Sequence, residues 1–381
     1  MKTGSQRRPS VCFVLPSLAG GGAERVAVQV LNALDADKWA RSMYLFERSG
    51  PYLADLSPAV RLDAGSAASR VGRWLALRRY VTETRPDVIV AFLSYLTVLT
   101  AVRAAAVGAR VVFAIQTPVS AFLTDRDYLW SRASYRRRAF ALAMRVGCSV
   151  ADLLIAASRG VADDLVMSFG GSRSRVRVVN NPVDLSMVSS GARQPIDAAD
   201  ASVWRPPVVV AAGRLADVKN YSLLIEAFAI LRRRMAASLF ILGEGDQEPA
   251  VRALIVERGL ADSVHLCGFR ANPWSYIARA DVFALTSRYE GFGNVLVEAM
   301  ACGVPVVATS SPGSQEVVES GANGLIVDRH EPEAFAEALG LVLDDGLLRR
   351  RMAERARADA EQYRAELVAL GYDRVLTEAL A

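Results

Sequence analysis

Residues 288–303 read Arg288-Tyr289-Glu290-Gly291-Phe292-Gly293-Asn294-Val295-Leu296-Val297-Glu298-Ala299-Met300-Ala301-Cys302-Gly303. Two carboxylates stand eight positions apart, the first among glycines and the second inside an apolar run. The pattern predicts a strand, a polar glycine loop, and a helix that starts near Asn294 and stops at Gly303, the residue type that favours helix C-terminal turns. The amides at such a helix start, with the positive end of its dipole, suit a phosphate, and Gly291 and Gly293 let a ligand approach the backbone. Asn294 and Glu298 are four apart and share a face. Val295, Leu296, Val297, Ala299 and Met300 leave that helix almost no solvated side, so Glu298 is expected to face a ligand and bond paired hydroxyls such as a ribose carries.

A second loop supplies cations. The apolar run 208–212 is followed by Gly213-Arg214-Leu215-Ala216-Asp217-Val218-Lys219-Asn220 and then a helical pattern. A diphosphate beside Arg214 and Lys219 would gain charge-assisted hydrogen bonds worth roughly 1.5–3 kcal/mol each. Gly243-Glu244-Gly245-Asp246 reads equally well as a ligand loop or a plain turn. Near the start, residues 11–15 run into Ser17-Leu18-Ala19-Gly20-Gly21-Gly22-Ala23-Glu24-Arg25, a glycine turn between strand and helix able to aim amides at an anion. That turn also fits a dinucleotide enzyme, with Glu47 as a ribose ligand, although the spaced glycine fingerprint is incomplete.

These loops need a scaffold, and the chain alternates short apolar runs with helical patterns throughout, the mark of parallel sheets with crossover helices. Strands are predicted at 11–15, 42–46, 88–92, 111–115, 153–157 and 176–179, then at 208–212, 238–242, 264–267, 282–286, 305–308 and 324–327. Helical patterns occupy 23–34, 128–146, 221–234 and 333–343, and 347–380 reads as helix-forming to the end. Residues 186–207, without periodicity, read as linker and loop. The fold class is therefore α/β, with two doubly wound, Rossmann-like parallel-sheet domains facing a cleft. Expected boundaries are 1–187, 188–360, and a C-terminal helix at 361–381 packing back on the first domain. Sheets of this type bind ligands beyond the carboxyl ends of their strands, where the loops above lie.

Composition narrows the chemistry. A length of 381 residues suits two domains, and no run approaches the roughly 20 apolar residues of a membrane span. The first apolar stretch is too short for a signal-peptide core, so the chain is expected to be cytoplasmic. Cys12, Cys148, Cys267 and Cys302 are scattered and read as buried free thiols. Only His265 and His330 are present, which argues against a histidine metal cage or a Ser–His–Asp hydrolase. Residues 1–185 carry 25 Lys/Arg and 14 Asp/Glu, whereas residues 186–381 carry 20 and 26. The first half is thus expected to meet something anionic.

The motifs occur in a familiar order: Gly20-Gly21-Gly22-Ala23-Glu24-Arg25, Asn180-Asn181-Pro182-Val183-Asp184, Gly213-Arg214-Leu215 with Lys219, Gly243-Glu244-Gly245, and Glu290-Gly291-Phe292-Gly293 with Glu298. Ser311-Pro312-Gly313-Ser314-Gln315-Glu316 and Asn323-Gly324-Leu325-Ile326-Val327 continue it. Over nearly its whole length the chain resembles the retaining glycosyltransferases of family 4, which have the GT-B fold. The resemblance implies transfer of a sugar, with retention, from a nucleoside-diphosphate sugar (usually a UDP-sugar) held by the second domain without a metal or other cofactor. Arg214 and Lys219 would neutralise the departing diphosphate, and amides around Gly291, Phe292, Gly293, Asn294 and Val295 would bind the same group or the sugar. Glu298 would hold the ribose, and Glu290 would contact the transferred sugar and stabilise positive charge at its anomeric carbon. Gly21 and Gly22 would close on the diphosphate. Where the family often carries a histidine, residues 111–115 are followed here by Gln116, which can bond a sugar hydroxyl but does no acid–base work near neutral pH. Epimerases and phosphorylases acting on related sugars, and dinucleotide-dependent oxidoreductases, remain the rival classes.

On the acceptor side, residues 70–80 and 128–140 are basic and rich in Trp and Tyr, a composition that favours anionic membrane surfaces. The expected acceptor is a glycan or lipid-linked glycan of a cell-surface polysaccharide or glycolipid, met on the inner face of the plasma membrane. Nucleic acid is not expected, since no recognised binding module accompanies the charge.

Overall fold

The computed structural model describes residues 7–124 and 134–381. The chain forms two compact units: residues up to Pro182 join Ala365–Ala381 in the first, and Val183–Arg364 make the second.

The first unit is built on a seven-stranded sheet: β1 (Ser10–Leu15), β2 (Ala40–Leu45), β3 (Arg61–Ala64), β4 (Val88–Ala91), β5 (Arg110–Ile115), β6 (Leu153–Ala156) and β7 (Val176–Val178). Its order is β3-β2-β1-β4-β5-β6-β7, and every pairing is parallel. The second unit holds β8 (Val208–Ala212), β9 (Ser238–Leu242), β10 (Val264–Gly268), β11 (Val282–Leu285), β12 (Val306–Thr309) and β13 (Gly324–Val327). They are ordered β10-β9-β8-β11-β12-β13, again all parallel. Continuous Val, Ile, Leu and Phe runs form these strands because both faces are covered by helices, which removes any need for alternation. In each sheet the direction of winding reverses once, between β1 and β4 and between β8 and β11. Loops leaving those strands diverge to opposite faces and open a crevice at the carboxyl ends.

Three features of the structure differ from what the sequence pattern suggested. Strand β3 has no counterpart in the reading; at four residues, Arg-Leu-Asp-Ala, it is a short edge with too little apolar signal. The stretch 186–207 is not plain loop: helices Leu185–Ala192 and Ala198–Ser202 occupy much of it. Asp184 caps the first by accepting from the amide of Met187 at 2.9 Å, and Asp197 caps the second by accepting from Ala199 at 2.9 Å. The segment 347–380 is not one helix but two, Gly346–Ala360 and Ala365–Leu380, separated by a short 3-10 turn at Glu361–Tyr363 and an extended Arg364.

The last helix buries Val368, Ala369, Tyr372, Val375, Leu376 and Ala379 against the side of the first sheet that also packs helix Gly22–Ala33. The indole N–H of Trp39 donates to Asp373 Oδ1 at 2.7 Å, Lys38 Nζ pairs with Asp373 at 2.8 Å, and Arg177 pairs with Glu378.

Candidate active site

In the second unit the expected residues occupy loops at the carboxyl ends of β8, β9 and β11. Lys219, in the loop after β8, donates from Nζ to Glu290 Oε1 at 2.5 Å, and Glu290 lies in the loop after β11. The two strands are neighbours at the switch point of the sheet, so topology alone brings these residues together across 71 positions of sequence. Ser287 Oγ donates to the same carboxylate oxygen at 2.7 Å. The two loops are also joined by backbone: the amide of Arg288 donates to Val218 O at 2.8 Å, and Thr286 Oγ1 donates to Lys219 O at 3.0 Å. Both side chains of the ion pair are largely but not fully covered, so the pair still borders solvent.

Arg214, in the same loop as Lys219, is exposed. Its loop is held by Gly243 and Gly245, whose backbones sit at φ +143° and +159°, and a Cβ on either would strike the carbonyl oxygen of Gly213 or Leu215 at 2.0 or 2.3 Å. The Gly243-Glu244-Gly245 segment, left open by its sequence, is therefore at least a packing element for the cationic loop. Tyr221 reinforces it, donating its hydroxyl to Gly213 O at 2.9 Å; burial, and then the negative charge of Glu290, push that phenol well above its ordinary pKa.

Helix Asn294–Ala301 begins after Gly293, whose φ of +87° demands glycine, and no side chain caps this end. Leu296, Val297, Ala299 and Met300 are buried around Glu298, itself only 5% exposed. Glu298 Oε2 accepts from the indole N–H of Trp274 at 2.7 Å. Trp274 escaped the sequence reading because nothing in its neighbourhood marks it as polar machinery; only the preceding Pro273 signals a turn. Phe292 turns inward and packs edge-on against Tyr363, ring centroids 5.3 Å apart, so its ring is an anchor for the loop and only its backbone faces the Glu290 region. Gly313 reaches this loop too, donating its amide to Glu290 O at 3.0 Å.

Three expected residues belong to the first unit. Gly21 precedes helix Gly22–Ala33, whose start has no side-chain cap, and Glu24 in its first turn is pushed above the ordinary carboxyl range by burial. Gln116 follows β5 directly and is 8% exposed; its side-chain amide lies beside the buried hydroxyl of Tyr372, although neither group makes a hydrogen bond of ordinary length to a described residue. A buried amide so weakly matched is uncommon in folded proteins. No group of three or more His, Cys, Asp or Glu able to hold a metal occurs among the described residues. Of the two basic segments, 70–80 falls on helix Arg70–Thr84, while 125–133 lies outside the described residues and the remainder opens helix Ser134–Val150.

Comparison with known proteins follows the same division. Residues 20–187 match the family described as Glycosyltransferase Family 4, and residues 194–359 match Glycosyl transferases group 1. The chain belongs to the group 1 glycosyltransferases, and its two parallel-sheet units are those of the GT-B fold. It is 34% identical over 214 residues to the N-acetylgalactosamine-N,N'-diacetylbacillosaminyl-diphospho-undecaprenol 4-alpha-N-acetylgalactosaminyltransferase of Campylobacter jejuni, covering 56% of each chain. It is 29% identical over 342 residues to the lipopolysaccharide core biosynthesis glycosyltransferase LpsE of Rhizobium meliloti, covering 88% of this chain and 89% of the relative. Among solved structures, Anabaena Alr3699/HepE in complex with UDP-glucose superposes with a TM-score of 0.79 at 23% identity, over 97% of this chain and 99% of that one.

Proposed function

We propose that this protein transfers a hexosyl group, with retention, from a nucleoside-diphosphate sugar, UDP-linked, to a glycan or lipid-linked glycan in the assembly of a cell-surface polysaccharide or glycolipid. The observation that carries the reading is the meeting of Lys219 with Glu290 at the switch point of the second sheet. An ammonium has three donors, so its bond to Glu290 leaves capacity for diphosphate oxygens. A glycosyl–phosphate bond that breaks early leaves negative charge on the diphosphate and positive charge at the anomeric carbon. Lys219 and Arg214 serve the first, the Glu290 carboxylate serves the second, and the uncapped start of helix Asn294–Ala301 offers amides to the phosphates. The cations do the neutralising, so the reading requires no metal and predicts full activity in excess EDTA. Glu298 takes the ribose hydroxyls.

The UDP preference draws on the relative solved with UDP-glucose, and the acceptor class on the names of the two curated relatives. Calorimetric titration of UDP, GDP and NAD tests the donor: UDP is expected to bind most tightly, and NAD binding without UDP or GDP would overturn the reading for an oxidoreductase. Product formation over a panel of nucleotide sugars, with the anomeric configuration read by NMR, tests retention; an inverted product would refute it.

A further inference from the structure

Helix Ser134–Val150 is apolar on two sides. Phe140, Ala141, Met144 and Cys148 pack into the core of the first unit. On the outward side Tyr135 is 67% exposed, Leu142 64%, Val146 54% and Val150 46%. Spacings of seven, four and four place these four on one stripe of the helix. Arg138 and Arg145 are exposed beside the stripe, and the helix holds four arginines and no acidic residue. A soluble surface ordinarily covers such a row of large apolar side chains or uses it.

A second helix on this side of the sheet repeats the pattern. Helix Arg70–Thr84 exposes Val71 at 69% and Leu75 at 50%, with Arg70, Arg78 and Arg79 also exposed. Both helices pack on the same side of the first sheet, with helix Tyr95–Ala105 between them. Trp74 ties that group together, donating its indole N–H to Thr100 Oγ1 at 3.1 Å. Together they place exposed aliphatic side chains and an excess of arginine, of which Arg79 is paired with Glu83 at 2.7 Å, on the side of the sheet opposite the one that carries the C-terminal helix.

We infer that this face, centred on the Tyr135–Leu142–Val146–Val150 stripe, docks the protein on an anionic lipid bilayer. Aliphatic side chains enter the headgroup boundary while the arginines meet lipid phosphates. Such binding combines buried apolar area with attraction to negative headgroups, so it requires acidic lipid and weakens with salt. The inference is independent of the donor reading, because none of these residues belongs to the loops assigned to the nucleotide sugar.

The test is sedimentation of the full chain with vesicles of phosphatidylcholine alone or with about one third phosphatidylglycerol. Binding to the acidic vesicles only, falling steeply with added salt, is expected. The triple variant Leu142→Ser, Val146→Ser, Val150→Ser should bind at least tenfold more weakly, and Arg138→Gln with Arg145→Gln should reduce the salt dependence. Unchanged melting temperature and UDP affinity in both variants show that the fold and donor site are intact. Wild-type protein that ignores acidic vesicles, or a triple variant that binds them equally well, would overturn the inference. So would a concentration-dependent dimer abolished by the triple variant, which would assign the face to a second copy of this chain.

Discussion

Trp274 and Glu298, 24 residues apart in sequence, meet through a buried 2.7 Å hydrogen bond from the indole N–H to carboxylate Oε2. The carboxylate predicted to hold a ribose is thus oriented by a tryptophan from a separate short helix, Trp274–Ile277. Trp274→Phe keeps most of the ring volume but removes the donor. A buried acceptor that loses a partner costs about 1–3 kcal/mol, so thermal unfolding should begin several degrees earlier. Glu298→Gln retains an acceptor for the indole and should melt close to wild type while binding UDP roughly tenfold more weakly. Normal UDP affinity in that variant would make Glu298 purely structural.

Lys219→Ala should weaken UDP binding by about one to two powers of ten, the equivalent of one lost charge-assisted bond. Calorimetry measures it directly. An unchanged dissociation constant would mean that the ammonium serves Glu290 alone.

Glu290→Gln removes the charge facing the anomeric carbon but not the cations that face the diphosphate. Turnover should fall on the order of a hundredfold, in the range seen when one electrostatic stabiliser is deleted, with UDP affinity changed by less than about threefold. Steady-state kinetics beside calorimetry separates the two effects. Full turnover would remove Glu290 from the chemistry.

The four thiols give a pH prediction. Burial pushes Cys12 up to about 11 and Cys148, Cys267 and Cys302 up to about 12, all from 9.0. A raised folded-state value favours the neutral thiol, so stability is fully present below pH 9 and is lost as pH climbs through 11 and 12. Urea midpoints should be flat from pH 7 to 8.5 and fall beyond pH 9.5. Ellman's reagent at pH 8 should label the native protein slowly and the urea-unfolded protein at once.

Most of the scaffold could be read from the chain because wholly parallel strands are continuous apolar runs; Val208–Ala212, Ser238–Leu242 and Gly324–Val327 fall where those runs lie. Edge strand Arg61–Ala64 could not, since an edge buries little and carries little signal. Helices Leu185–Ala192 and Ala198–Ser202 were hidden by the Ser, Gly and Asp of a stretch read as linker, although Asp197 within it caps one and Asp184 just before it caps the other. The site was legible where chemistry coincides with a strand end, as at Lys219 and Glu290. Trp274 and Ser287 were not, because their roles depend on which strands become neighbours.

The closing helix, Ala365–Leu380, completes the core of the unit that contains the first residues of the chain. During synthesis, domains generally fold as units in order of emergence. Here the first unit must wait: Trp39 and Tyr372 reach their final surroundings only after the second unit and then helix Ala365–Leu380 have been made. A stop codon directly after Arg364 would therefore injure the unit that holds Trp39 rather than the one in which it falls, leaving the face of helix Gly22–Ala33 bare while the strands that position Lys219 and Glu290 are already made.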